Sequence, residues 1–222
     1  MPKETFFNLP EEKRGQITEA ALDEFATLPY AQASVNRIVE RAGISKGSFY
    51  QYFQDKEDLF LYLLARMGEE KMAYLAPTFA QAGQLDFFAL LRSLYVGGLR
   101  FSMAHPRYAA IGEHLLRAKN TPIFERVVHD STAASQAYFR QLLQQAIARG
   151  EVRPDVDLDL MGYLMGELNT LIMAYYAEHV SPSFDNRLLE TVDRFIDFMR
   201  RGLGPASEST HSSSQQNKEN PV

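Results

Sequence analysis

The sequence predicts an all-α fold of about eight to ten helices. Apolar residues recur at steps of three and four almost throughout, and no run alternates apolar and polar residues in the β-branched style of strands. The interruptions fall at His105-Pro106, Thr121-Pro122, Gly150 and Ser181-Pro182, which are helix-ending signals.

The elements follow in order. Asn8-Leu9-Pro10-Glu11 offers a cap, an early-turn proline and a glutamate three residues after the cap, and Ile17, Ala21, Phe25 and Leu28 then share a stripe, so a first helix runs from about Pro10 to Leu28. Two very short helices follow back to back. Ser34 caps the first, whose inward residues are Val35, Ile38, Val39 and Ala42; Gly43 supplies the left-handed residue that ends it, Ile44 plugs the corner, and Ser45 caps the second. Longer amphipathic helices then carry Leu59, Leu63 and Met67; Phe87, Leu91, Leu94 and Tyr95; Phe124, Val128, Phe139 and Leu142. Two final helices are expected from about Asp157 to Val180 and from Phe184 to Gly202. From Pro205 to Val222, ten of eighteen residues are Ser, Thr, Gln or Asn, too little apolar surface to offset the entropy of ordering, so residues 205–222 read as a disordered tail.

Composition narrows the class. Of 222 residues, 45% are apolar and 23% charged, which excludes a disordered or collagen-like chain. Without cysteine there is no disulfide framework, thiolate nucleophile or thiolate metal site, which fits a reducing compartment, with cytoplasm the expectation. The N-terminal stretch turns polar after Phe7 and no run approaches roughly eighteen apolar residues, so neither secretion nor a membrane partner is expected.

Two helices joined by a tight glycine-bearing turn make a helix-turn-helix, whose second helix can enter the major groove of DNA. Its exposed residues Ser45, Lys46, Ser48, Tyr50, Gln51 and Tyr52 offer hydroxyls, an ammonium and an amide, while Phe49 and Phe53 anchor the back. Gly47 costs helix propensity but lets the backbone approach a base edge. The formal net charge of −5 argues against a nucleic-acid partner until it is resolved along the chain. Between Ser34 and Lys56 four basic residues (Arg37, Arg41, Lys46, Lys56) face two acidic ones (Glu40, Asp55), a local balance of +2.

The block from Ile17 through Phe60, including ASVNRIVERAGISKGSFYQYFQDKEDLF, resembles the DNA-binding domain of the tetracycline-repressor (TetR/AcrR) family of bacterial regulators. The resemblance implies an N-terminal three-helix helix-turn-helix domain over residues 1–55 and a C-terminal helical ligand-binding and dimerisation domain over residues 56–204. It implies phosphate contacts from Ser34, Ser45, Tyr50, Tyr52 and Lys56, and base-facing roles for Asn36, Arg37, Lys46, Gly47, Ser48 and Gln51. Gln51 stands where an aromatic is frequent in relatives, which marks it as a determinant of operator preference. Tyr52 stands where many relatives carry histidine.

The same resemblance implies a homodimer through the two C-terminal helices on a double-stranded, palindromic operator. Met161, Leu164, Met165, Leu168, Ile172, Tyr175 and Tyr176 make the first of those helices apolar around more than half its circumference, and Gly162 and Gly166 permit close approach, either across a dimer or inside one subunit. A small, mainly apolar effector would sit among the helices around 87–103, 107–117 and 123–148, rich in Phe, Leu, Tyr and Met. Polar residues on or beside the apolar stripes are the candidates to orient it: Arg100, His114, His129, Ser135, Tyr138, Asn169 and Tyr175, with Tyr138 and Asn169 foremost.

Nothing in the sequence points to catalysis, a cofactor or a metal. The five histidines show no HExxH spacing, and there is neither a glycine-rich phosphate loop nor a GxSxG elbow. The favoured reading is therefore a repressor released from its operator by an effector. The alternatives are an α-helical small-molecule-binding protein or enzyme that keeps the hairpin as scaffold, and a DNA-binding regulator with a protein partner.

Overall fold

The apolar periodicity folds into ten helices among the described residues, which in this computed structural model are 1–181 and 185–205, without the side chains of 128–134 and 169–170. They are α1 (Glu4–Phe7), α2 (Glu11–Thr27), α3 (Val35–Arg41), α4 (Lys46–Tyr52), α5 (Lys56–Ala80), α6 (Phe87–Ala104), α7 (Pro106–Arg117), α8 (Pro122–Ala148), α9 (Leu158–His179) and α10 (Arg187–Leu203). The expected tail lies outside the described residues save Pro205, as do the side chains of His129 and Asn169.

The N-terminus differs from the expected three-helix domain by one element. Asn8 does not cap α2; it ends α1, and Pro10 precedes α2 without a side-chain cap. The cause is Phe6, which is fully buried with its ring 4.8 Å from Phe53 and 5.3 Å from Tyr62, and so holds residues 4–7 as a helical turn beneath α4. From there Lys3 N–H donates to Tyr52 O (2.8 Å), Lys3 Nζ to Tyr50 O (2.7 Å) and Thr5 Oγ1 to Gln51 O. These bonds satisfy carbonyls in the last turn of α4, where a helix has no partners of its own.

The turn between α3 and α4 closes as its glycine predicts. Gly43 has φ of 59°, and Ile44 N–H reaches back to Val39 O at 3.0 Å, closing a Schellman-type turn. Lys13 of α2 adds Nζ bonds to the Ala42 and Gly43 carbonyls at 3.1 and 3.2 Å. At the other end of α3, the buried Glu24 accepts from Ser34 N–H (2.8 Å) and from Arg37 Nε and Nη2 (2.9 and 2.6 Å). Burial alone would raise the Glu24 pKa; the Arg37 guanidinium and the Ser34 amide outweigh it and hold the carboxyl below its ordinary value.

Two apolar cores result. The first joins Ile17, Phe25, Ile38, Phe49 and Phe53 to Leu59, Phe60 and Leu63 of α5, and extends to Ile111 of α7 and Ile123 of α8, so it crosses residue 55. The second gathers Phe87, Leu91, Leu143, Tyr176, Val192 and Ile196 from α6, α8, α9 and α10. Helix α7 belongs to the first core and meets α6, where the Tyr108 ring lies against Phe101. Arg107 pairs with Glu19 (2.8 Å) and Asp23 (2.7 Å) of α2, and His114 Nε2 donates to Ala26 O (3.2 Å). Helices α8 and α9 pack tightly at Gly162, where a Cβ would lie 3.1 Å from Gln136 O and 3.2 Å from Arg140 Cβ, so this glycine serves contact inside one subunit.

Phe6→Ala is expected to lower stability by about 3–5 kcal/mol in urea unfolding, whereas Phe7→Ala, at an exposed neighbour, costs about 1 kcal/mol or less. Because Glu24 has a depressed folded pKa, its contribution is complete above the unfolded glutamate value of about 4.3 and is lost as pH falls through the folded one. The stability gap between the wild type and Glu24→Gln should therefore be constant above about pH 5 and shrink on further acidification.

Candidate functional site

Helix α4 begins with Ser45, whose Oγ accepts from Ser48 N–H at 3.0 Å and lies 2.9 Å from Ser48 Oγ. Phe49 is fully buried and Tyr50 meets it edge-on, which turns Lys46, Gly47, Tyr50 and Gln51 outward on one exposed surface. Asn36 of α3 is exposed beside them in the hairpin, and Tyr52 is half-buried against Phe6. A Cβ at Gly47 would meet only Ser45 Oγ, at 3.6 Å, so the residue is not required by packing and leaves the backbone open to an approaching groove.

Two of the eleven residues expected to contact DNA have hydrogen-bond partners within the domain. Arg37 is held by Glu24 through Nε and Nη2 and by Gln32 O (2.8 Å) through Nη2, which commits that edge of its guanidinium to the α2–α3 junction. Lys56 donates to Tyr30 O (2.7 Å) and Ala33 O (2.9 Å) and sits 4.4 Å from the Tyr30 ring centroid, so it fastens the loop before α3. Arg41 lies 3.7 Å from Asp23. Of the four basic residues between Ser34 and Lys56, this leaves Lys46 as the cation without a protein partner among the described residues.

Behind the hairpin lie two apolar cavities on either side of α7. The first, about 370 Å³, is lined by Phe25, Pro29, Tyr30, Phe60, Ile111, His114 and the start of α8, and so borders the loop that Lys56 fastens. The second, about 340 Å³, lies among α5, α6, α7, α8 and α9, with Leu64, Met67, Gly68, Lys71, Phe101, Ser102, Tyr108, Gly112, Leu116, Phe124 and Met173 on its wall. Leu115 borders both. A Cβ at Gly68 or Gly112 would meet nothing within 4 Å, so both glycines enlarge the second cavity. Tyr108 donates to Glu70 Oε2 at 2.7 Å, and burial together with that bond pushes its pKa up to about 12.

Of the residues expected to orient an effector, His114 lines the first cavity, where its imidazole is committed to Ala26 O. Tyr138 is half-buried, edge-on to Phe79 at 5.6 Å, away from both cavities. Arg100 is exposed, Ser135 half-buried, and neither lines a cavity. Tyr175 is 53% exposed and belongs with Leu160, Tyr163 and Leu171 to an apolar stripe on the side of α9 opposite Gly162; Phe198 of α10 is also exposed. Sequence reasoning missed Lys71, Tyr108 and the two cavity glycines. The available signal was glycine in the interior of amphipathic helices, which propensity alone disfavours. Among the described residues no group of His, Asp or Glu could hold a metal ion, and no helix is long and apolar enough to cross a membrane.

Residues 17–63 match the model for bacterial regulatory proteins of the tetR family, and residues 85–204 match that of the tetracyclin repressor-like C-terminal domain. The chain is 27% identical over 201 residues to the HTH-type transcriptional repressor Rv1474c of Mycobacterium tuberculosis, covering 90% of this chain and 100% of that protein. It is 29% identical over 206 residues to the HTH-type transcriptional repressor AcnR of Corynebacterium diphtheriae, covering 90% and 93% respectively. Among solved structures, a TetR family transcriptional regulator from Chloroflexus aurantiacus J-10-FL superposes with a TM-score of 0.63 at 36% identity, over 93% of this chain and 100% of that one. With the capped hairpin, the exposed face of α4 and both domain matches in agreement, this chain belongs to the TetR family of DNA-binding transcriptional regulators.

Proposed function

We propose that this TetR-family regulator represses transcription as a homodimer on a palindromic operator and is released when a small, mainly apolar molecule fills the cavity among α5, α6, α7, α8 and α9. The observation that carries this reading is the position of α7. One side of it supplies Ile111 to the first core and Arg107 and His114 to α2; another supplies Ala109, Gly112 and Leu116 to the cavity wall. A ligand that displaces α7 must move α2, and α2 carries Lys13, Glu24 and the bonds that set both ends of α3. Effector and operator then antagonise each other by the same factor, as linkage requires.

At the operator, Ser45, Tyr50 and Tyr52 supply phosphate contacts, while Asn36, Gly47, Ser48 and Gln51 face bases; Lys46, expected from the sequence to face a base, is reassigned to phosphate as the hairpin cation without a protein partner among the described residues. Ser34 opens α3, with its amide spent on Glu24. Arg37 and Lys56 act as positioning residues, since both are hydrogen-bonded to partners within the domain. Two hairpins about one helical turn of DNA apart, roughly 34 Å, require a dimer, and the exposed stripe of Leu160, Tyr163, Leu171 and Tyr175 with Phe198 supplies a surface of the right character for one.

Lys46→Ala should weaken binding to all DNA sequences and reduce the slope of log affinity against log salt by about 1, whereas Gln51→Ala should relax preference at one operator position, worth about 1–3 kcal/mol. Fluorescence titration of specific and random duplexes at several salt concentrations measures both. The double variant Tyr163→Glu with Leu171→Glu should sediment as a monomer and lose operator binding while keeping its helical circular dichroism; a dimer that persists would place the interface elsewhere.

A further inference from the structure

The cavity that borders the loop before α3 is separate from the effector cavity, and the two share Leu115 of α7. Three aromatic rings form one side of it. The Phe60 ring centroid lies 4.8 Å from that of Phe25 and 5.0 Å from that of Tyr30, and the Phe25 and Tyr30 rings are inclined by 13°. Ile111, Leu115 and Ala118 from the end of α7 and Ile123 from the start of α8 complete the apolar wall. The polar side chains among these residues are already engaged. His114 Nε2 lies 3.2 Å from Ala26 O, Thr121 Oγ1 donates to Ala118 O at 2.6 Å and accepts from Phe124 N–H at 3.4 Å, and the Glu57 carboxylate pairs with Arg126. Burial, reinforced by the charges of Glu57 and Asp55, raises the Tyr30 hydroxyl above its ordinary pKa, so it stays neutral.

An ionic ligand would lose its hydration on this wall without gaining a counter-ion, whereas an uncharged ring gains contact with three others in place of water. Apolar cavities of about 150 Å³ accept benzene. This one, at about 370 Å³, has room for two fused rings. We infer that the cavity is a second ligand site, which binds an uncharged fused-ring aromatic molecule between the rings of Phe25, Tyr30 and Phe60 on one side and Ile111 and Ala118 on the other. Its position gives the ligand a consequence. Tyr30 lies in the loop that leads into α3 and is fastened by Lys56 at the Tyr30 and Ala33 carbonyls, while Ile111 lies on α7. A molecule that touches both favours the arrangement in which α7 stays docked, so it opposes displacement of α7 by the effector and tightens operator binding, as a co-repressor does. This effect on the operator rests on the allosteric role of α7 given under Proposed function; the site and its ligand class do not.

The chain has no tryptophan, so the fluorescence of indole excited beyond the tyrosine band reports its binding to the full chain directly. Indole is titrated beside its anionic and cationic relatives, indole-3-carboxylate and tryptamine, and against cyclo-octanol, a saturated ring of equal heavy-atom count, as competitor. Indole is expected to bind at least about tenfold tighter than either ion and about two- to tenfold tighter than cyclo-octanol. Ala118→Phe, which fills this cavity, should weaken indole by at least about tenfold, and Gly68→Leu, which fills the effector cavity, should leave it unchanged. Phe60→Leu, which removes one ring but keeps the wall apolar, should weaken indole about two- to tenfold and leave cyclo-octanol unchanged. Unaltered helical circular dichroism in each variant separates loss of the site from loss of the fold. Equal indole affinity in the wild type, Ala118→Phe and Phe60→Leu, tighter binding of either ion, loss of binding in Gly68→Leu instead of Ala118→Phe, or no saturable binding of indole overturns the inference. Affinity for an operator selected from random duplexes is measured with and without indole. Tighter operator binding that disappears in Ala118→Phe supports the co-repressor role; indole binding that depends on residue 118 but leaves the operator unaffected supports the site and overturns that role together with the linkage through α7.

Discussion

Helix α7 has to satisfy two sets of neighbours at once, and that constraint organises the rest of the molecule. It is only twelve residues long, yet Ile111 is locked into the core beneath the hairpin, Arg107 bridges two carboxylates of α2, and Leu115 borders both cavities. Close-packed interiors do not deform smoothly, so a helix shared in this way shifts as a unit or stays where it is. The polar contacts with α2 are largely exposed and individually weak. Their value is directional: they tie the position of α7 to that of the helix from which α3 and its turn are held.

The hairpin was legible in the sequence because its determinants are local. A serine cap, a left-handed glycine and an isoleucine in the corner act within a few residues of one another, and Gly43, Ile44 and Ser45 take up the roles expected of them. Arg37 and Lys56 were harder to read for the same reason in reverse. Their partners, Glu24 and the carbonyls of Tyr30 and Ala33, are 13 to 26 residues away, and nothing in a basic side chain on a short helix tells whether it faces a phosphate or its own domain. Tyr175 shows a further limit. An aromatic with a hydroxyl on an apolar stripe reads alike whether the stripe faces a ligand or a second subunit.

The cavity was the least legible feature, since it is defined by side chains that are missing. Residues with large apolar side chains advertise themselves as core, and the sequence analysis followed them to α6, α7 and α8. Gly68 and Gly112 mark the space more directly, because each leaves room where a Cβ would touch nothing. Charge redistributed its meaning as well. The excess of basic residues around the hairpin is real, but most of it is paired within the domain, and the exposed surface of α4 carries Lys46, hydroxyls and an amide.

The bonds from Lys3 and Thr5 to the end of α4 link residues 47 and 46 positions apart. During synthesis residues 3–6 emerge well before α4, whose last turn they complete, and the ring of Tyr62 that packs on Phe6 emerges later still. Until then Phe6 has no pocket, and α4, at seven residues, is too short to persist alone. The hairpin is therefore completed by contacts 46 and 47 positions apart, with a loop-closure entropy that its short helices alone do not suggest. A nascent chain paused before that closure exposes the Phe6 ring and leaves the last-turn carbonyls of α4 without the donors of Lys3 and Thr5.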